Sequence, residues 1–397
     1  MTRAGAAKVV LPVAAGMDLM GYPDRAGPAT GVHDALHVRA LVLAAPDPVA
    51  LVSVELCWVG EDLVAAARER IARDTGIPPD RVFVSATHTH SGPHDQVVEL
   101  DAAIAAAVAE AAAALRPARV GAGFGMVHGV ALNRRRLEDP VDPALLALRV
   151  DGEDGRPLAL YVGFGCHAVV LGPDNRLASG DWPGACARAL EEQLGAVVLV
   201  AQGSCADVNP LTAGVEARSG PYVSTNGTPY YGPPAAQSIG DRSGGTFAEA
   251  EALGARVAEE ALRVHGGIAP VPLSGIATRR LAVPAEGDGA DIDRSAWAPP
   301  RTPASVPLEV MTVALEGAGV LLAGQPGEVF AATGSALRTR LRHAGHAHPF
   351  VVGYANGWRA YLPPAAAYPD GGYEVDWARF MRLAPDAQDD IAAALIG

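Results

Sequence analysis

Arg81-Val82-Phe83-Val84-Ser85-Ala86-Thr87-His88-Thr89-His90-Ser91-Gly92-Pro93 opens as a β-branched and aromatic run and closes on a glycine–proline turn. The run reads as a buried strand, and Gly92-Pro93 stops it. Side chains on extended backbone alternate faces, so His88 and His90 are expected on one side of the strand's end. Two imidazoles there can bind a metal ion or share a proton-transfer task. They can equally be polar residues on a strand leaving the core, and the spacing alone leaves these readings open.

Upstream of this strand the pattern is strand, strand, helix. His37 to Ala44 alternates as a strand, Pro46-Asp47-Pro48 turns the chain, and Val49 to Leu56 returns. Glu61 to Asp74 reads as an amphipathic helix, with Leu63, Ala66 and Ile71 at helical spacing; Gly76 and Pro78-Pro79 end it. The β-β-α-β unit so defined recurs. Leu145 to Asp151, Leu158 to Gly165, Pro183 to Leu194 and Ala196 to Ala201 form a second copy. Leu308 to Leu315, Val320 to Gly324, a helix from about Glu328 to His343, and Phe350 to Tyr354 form a third. Three irregularly spaced copies predict an α/β fold of layered mixed β-sheets with outer helices, in one domain spanning residues 1–397. His88, His167, Glu328 and Tyr361 each fall just past a strand of these units, where α/β proteins assemble sites.

Composition narrows the function classes. Apolar residues make up 49% and charged residues 19%, as in a soluble globular protein with a large core. A net charge of −13, with Lys8 the sole lysine, excludes the basic stripe that nucleic acid or an anionic membrane requires. No apolar stretch approaches the roughly 18 residues of a membrane span. The first twenty residues lack the apolar core and cleavage site of an export signal, so a cytoplasmic protein is expected. Cys57, Cys166, Cys186 and Cys205 have no paired spacing and are expected as buried thiols.

The remaining segments read as connections. Gly16 to Pro23 is irregular but apolar, as if packed near a site. Leu211 to Gly245 is a long polar stretch carrying Tyr222, Tyr230 and Tyr231, expected as a lid or pocket wall. Phe247 to His265 reads as a long helix, and Leu281 to Val306 as a surface excursion. Pro385 to Ile396 reads as a short terminal helix with proline at its first position.

Taken in order, several motifs resemble the neutral ceramidases. They are Met20-Gly21-Tyr22, Thr87-His88-Thr89-His90-Ser91-Gly92-Pro93, Asn133-Arg134, Gly165-Cys166-His167, Asp207-Val208-Asn209-Pro210, Pro326-Gly327-Glu328 and Tyr361. The resemblance runs from about residue 8 to residue 377, so a single ceramidase-like catalytic domain, without the family's immunoglobulin-like C-terminal domain, is expected. It implies a zinc-dependent amidase, with His88, His167, Glu328 and Tyr361 as ligands of Zn2+. It further implies that His90, Arg134 and Tyr373 are active-site residues. The family's active-site serine has one local match, Ser219, in a divergent loop.

Two imidazoles and a carboxylate are in any case a common catalytic zinc set. Individually the same residues have plainer readings. Glu328 suits a helix N-terminus, His167 a satisfied core position, Tyr361 an apolar surface, and Asn133-Arg134-Arg135-Arg136 a solvated basic turn. Asp207 and Asn209 read as loop braces. The expected substrate is a small-molecule N-acyl amide, ceramide-like or smaller. Competing readings are an amide-forming or cyclising acyltransferase on the same zinc, a catalytically silent binding protein, and a metal-independent hydrolase using Ser219 or Ser204, which no GxSxG elbow supports. Oligomeric state has no sequence signal.

Overall fold

The computed structural model describes residues 1–23, 25–95, 99–211, 245–287 and 307–397. Eight main strands form one sheet: β1 (Arg3–Val10), β2 (His37–Ala44), β3 (Pro48–Val54), β4 (Val82–Ala86), β5 (Arg116–Met126), β6 (Ala144–Gly152), β7 (Pro157–Phe164) and β8 (Val197–Gln202). Their order is β8-β7-β6-β5-β1-β2-β3-β4. Four more form a second sheet in sequence order: β9 (Gly275–Val283), β10 (Leu308–Glu316), β11 (Val320–Gly324) and β12 (His348–Val352). The helices are α1 (Glu61–Thr75), α2 (Leu100–Ala113), α3 (Asp181–Leu194), α4 (Phe247–Gly267), α5 (Ala331–His343), α6 (Tyr373–Phe380) and α7 (Ala387–Ile396).

The three β-β-α-β units are present and share one pairing. In each, an antiparallel hairpin (β2–β3, β6–β7, β10–β11) is followed by a helix. A third strand then lies parallel to the second (β4 on β3, β8 on β7, β12 on β11). A parallel neighbour needs a crossover, and the intervening helix supplies it.

Alternation along the strands builds the layers. On β2, Val38, Ala40 and Val42 pack with α1 and α2, whereas Leu41 and Leu43 face the second sheet. The second unit lies under α3 and α4, and the outer face of the four-stranded sheet under α5, α6 and α7. The layering is therefore helix, sheet, sheet, helix. Helix α1 buries Val64, Ala67, Arg68 and Ile71, one residue round from Leu63 and Ala66, and Gly76 closes it at φ 75°.

The large sheet curls until its two ends meet. Ser53 of β3 donates to the Val200 carbonyl of β8 at 2.6 Å, and Gln202 Nε2, at the end of β8, donates to the Thr87 carbonyl at 2.9 Å. Where the two sheets press closest, a glycine faces a ring. A Cβ on Gly324 would lie 2.5 Å from Phe83, and one on Gly163 2.4 Å from Phe350.

Several expectations need correcting. β1, α2 and β5 have no counterpart in the sequence reading, and β9 extends through Val283 into a stretch read as a surface excursion. α5 begins at Ala331 rather than near Glu328, so Glu328 precedes the helix instead of sitting in its first turn. α7 begins at Ala387, two residues beyond Pro385. Residues 212–244, including Tyr222, Tyr230 and Tyr231, lie outside the described residues. All four cysteines are buried free thiols. Among the described residues, no helix is long and apolar enough to cross a membrane.

Candidate metal centre

The C-terminal ends of the parallel strand pairs converge, as expected for sites in α/β sheets. Three hydrogen bonds tie the three units together there. Ala86 N–H donates to the Tyr354 carbonyl at 3.2 Å, Gly353 N–H to the Gln202 carbonyl at 3.1 Å, and the Gln202 side chain closes the ring onto Thr87. Of seven non-glycine residues with positive φ among the described residues, His88, Tyr354, Asn356 and Ala360 lie on the loops leaving these strands. Each left-handed residue costs on the order of 1–3 kcal/mol, and such strain gathers where side-chain placement matters more than backbone comfort.

His88 and His90 do meet, with their Nε2 atoms 3.1 Å apart. Strand alternation is not the reason, because β4 ends at Ala86 and His88 takes φ 64°. The left-handed turn at His88 aims its ring inward. His88 Nδ1 donates to the Cys57 carbonyl at 2.8 Å, and His167 Nδ1 donates to the Cys205 carbonyl at 2.6 Å. Both Nδ1 protons are thus assigned, and both Nε2 lone pairs face inward. His88 Nε2 lies 3.7 Å and His167 Nε2 3.2 Å from Glu328 Oε2. Burial holds both imidazoles neutral: His88 is pushed down to about 3, with Glu328 opposing and His167 assisting, and His167 falls well below its ordinary value.

Glu328 is buried yet fully braced. Tyr354 Oη donates to Oε2 and Trp358 Nε1 to Oε1, each at 3.2 Å. A two-residue parallel ladder pairs Glu328 with Tyr361, so adjacent strands present both side chains. Burial and the Glu328 charge push the Tyr361 phenol up, against the pull of Arg134.

Arg134 is far from a solvated turn. Its guanidinium is spread over three partners: Glu374 Oε1 at 2.9 Å from Nε, Asn209 Oδ1 at 3.3 Å from Nη1, and Tyr361 Oη at 3.0 Å from Nη2. It also lies 5.6 Å from the Tyr361 ring and 5.7 Å from the Tyr373 ring. Arg135 pairs with Glu374 at 2.6 Å and Arg136 with Asp370 at 2.6 Å. The reading of this segment as a solvated basic turn is thereby overturned for Asn133, Arg134 and Arg135, while Arg136 is exposed. Asp207 is a brace, accepting from Asn133 Nδ2 and from the Ala331 N–H at the start of α5, each at 2.8 Å.

His90 sits on the opening segment. Tyr22 packs edge-on against it at 4.9 Å, and a Cβ on Gly21 (φ 96°) would lie 2.4 Å from its ring. The apolar stretch around Met20 is therefore packed at the site, as its composition suggested.

His88, His167 and Glu328 offer ligand atoms that all lie within 4.8 Å of one another. His167 Nε2 is buried and finds no hydrogen-bond donor among the described residues. Two neutral imidazoles, one carboxylate and an orphaned lone pair fit a divalent cation. Cys57, His88 and His90 form a second such set. Burial, with Glu328 nearby, raises the Cys57 thiol well above its ordinary value, so it keeps its proton and is the poorer donor.

The structure brings His88, His90, His167, Glu328, Tyr361, Arg134 and Tyr373 to one place. Ser219 lies outside the described residues. Ser204 is turned against α5, where a Cβ on Gly334 would lie 1.8 Å from its hydroxyl. Tyr354, Trp358 and Glu374 support the site but were missed from sequence. The two cysteine carbonyls were also missed, and they carry no residue-type signal.

The geometry defines a class: layered α/β proteins with a buried His–His–carboxylate centre at converging strand ends. The chain belongs to the neutral/alkaline non-lysosomal ceramidase family, whose N-terminal profile matches residues 4–262. It is 25% identical over 222 residues to the neutral ceramidase of Oryza sativa subsp. japonica, covering 46% of this chain and 28% of that protein. Neutral ceramidase 2 of Arabidopsis thaliana is 27% identical over 217 residues, covering 45% of this chain and 28% of that protein. The matches thus cover under a third of those relatives' lengths. The crystal structure of neutral ceramidase from Pseudomonas aeruginosa superposes with a TM-score of 0.79 at 18% identity, covering 100% of this chain and 73% of that one. A ceramidase complexed with C2 superposes equally well, at 18% identity. These two establish the shared fold.

Proposed function

We propose that this chain is a zinc-dependent amidohydrolase that cleaves an N-acyl amide, either ceramide-like or a smaller non-sphingolipid amide. The observation that carries this reading is the convergence of two neutral Nε2 lone pairs on Glu328 Oε2 in a buried centre. Family membership and the names of the relatives support the substrate class. In this reading His88, His167, Glu328 and Tyr361 hold the ion. When bound, zinc supplies Lewis acidity, which polarises an amide carbonyl and makes water acidic enough to attack near neutral pH.

The chain's own groups do the rest. Water oxygen bonds to the carbonyl carbon, and the C–N bond breaks. His90 takes the proton the water loses and passes it to the departing nitrogen. Burial and its charged neighbours keep His90 neutral at rest, so it begins as a base. Arg134, held rigid by Glu374, and Tyr373 stabilise the negative charge that grows on the carbonyl oxygen.

Metal analysis of the purified protein is expected to find about one zinc per chain. A chelator is expected to abolish N-acyl amide hydrolysis, and added zinc to restore it. Protein that neither holds zinc nor can be reloaded with it sinks the proposal. The position of His90 gives a second expected result. Gly21→Ala should lower kcat about 10–100-fold, by displacing the His90 ring, while leaving zinc bound. Unchanged kcat in that variant would remove His90 from the reaction.

A further inference from the structure

Asn209 lies on the short strand Val208–Pro210, paired antiparallel with Ala131–Asn133. That strand sits between two segments that deliver site residues. His167 N–H donates to the Val208 carbonyl at 3.1 Å, and Arg134 N–H to the Asp207 carbonyl at 2.7 Å. Asn209 has no solvent exposure. Its Oδ1 accepts from Arg134 Nη1 at 3.3 Å. Because a guanidinium only donates, this contact fixes which end of the amide is oxygen.

The other end, Nδ2, is buried and meets no acceptor among the described residues. A buried donor without a partner costs stability, and the contact of Oδ1 with Arg134 does not by itself require that donor. The amide is therefore explained by an oxygen that arrives with a ligand. Beside the Arg134 charge, the oxygen best served is one that gains negative charge during reaction.

Resting on the amidohydrolase reading above, we propose that Asn209 Nδ2 donates a hydrogen bond to the carbonyl oxygen of the bound amide. It shares that oxygen with Arg134, and Asn209 is then a substrate-contacting residue rather than a loop brace.

Asn209→Leu and Asn209→Asp test this in the zinc-loaded protein, with N-hexanoylsphingosine as substrate. Asp keeps an acceptor for Arg134 and loses the donor while adding a carboxylate charge beside the guanidinium, which Leu does not add, so a fall in kcat shared by both variants is assigned to the lost donor. Both are expected to lower kcat about 100-fold, as loss of one oxyanion donor does, with a smaller change in KM and unchanged zinc content. Asn209→Leu removes the unpaired Nδ2 but also the acceptor of Arg134 Nη1, so its melting temperature is read only to show that the variant is folded. A kcat within about threefold of wild type in the variants overturns the proposal. If the wild type hydrolyses no amide, the amidohydrolase reading fails on its own account. Asn209 is then read by titrating sodium hexanoate into the zinc-loaded protein by calorimetry. At least tenfold weaker binding in the variants upholds the contact. Equal binding, or none to the wild type, overturns it.

Discussion

His88→Ala is expected to abolish zinc binding and to lower kcat/KM at least about 1000-fold, roughly 4 kcal/mol of transition-state stabilisation. His88 is almost wholly buried. The Cys57 carbonyl fixes its tautomer, and its Nε2 faces Glu328. Removing it deletes one of the two imidazoles around which the centre is built and leaves Glu328 opposite a void. Two further variants separate the ring from its surroundings. His88→Gly relieves the left-handed backbone strain, which Ala does not, so zinc loss in both variants locates the effect in the imidazole. Cys57→Ala keeps the backbone carbonyl that orients His88 and is expected to retain zinc. Zinc retained at wild-type stoichiometry in His88→Ala would place the ion on neither donor set, and zinc lost in Cys57→Ala as well as in His88→Ala would shift it onto Cys57, His88 and His90.

Glu374→Ala is expected to destabilise the protein by about 3–5 kcal/mol, the usual cost of stranding a buried charge. The Glu374 carboxylate is buried and takes Arg134 Nε at 2.9 Å and Arg135 Nη1 at 2.6 Å. Without it, two guanidinium groups lose their shared counter-charge and Arg134 is free to turn from Tyr361. Turnover should fall with stability. Glu374→Gln, which keeps the shape and one acceptor, should recover part of the stability but less of the activity. Burial alone would raise the Glu374 pKa, but Arg134 and Arg135 outweigh it and hold the carboxyl below its ordinary 4.5. Its contribution is thus full above pH 4.5 and is lost as the pH falls through the lower folded-state value. Urea titrations at pH 7 and pH 3 read this directly. A loss under 1 kcal/mol at pH 7, or equal losses at both pH values, would mean the carboxylate is not what holds the arginines.

The three repeated units were legible because half-buried strands write their two faces into alternate residues. Leu41 and Leu43 against Val38, Ala40 and Val42 is one such record. What escaped lacks that contrast. α2 is mostly alanine, so no face stands out. β5 carries Gly121, Gly123 and Gly125, which read as turn residues. They are glycine because α4 packs directly on the strand: a Cβ on Gly121 would lie 2.6 Å from Ile268, and one on Gly125 2.2 Å from Glu260. Only the packed neighbour explains them.

The site divides in the same way. By itself the sequence determined where the strands of each unit would end and that His88, His167, Glu328 and Tyr361 would follow such ends, because periodicity and turn residues are local properties. The tertiary structure alone decided how those residues work together. The ring tautomers are set by the Cys57 and Cys205 carbonyls, and every residue type carries the same backbone carbonyl. The setting of Arg134 depends on Glu374, 240 positions away in the chain. Backbone acceptors have no side-chain identity, and charge pairs across such distances have no period. Both come into being only when the layers close.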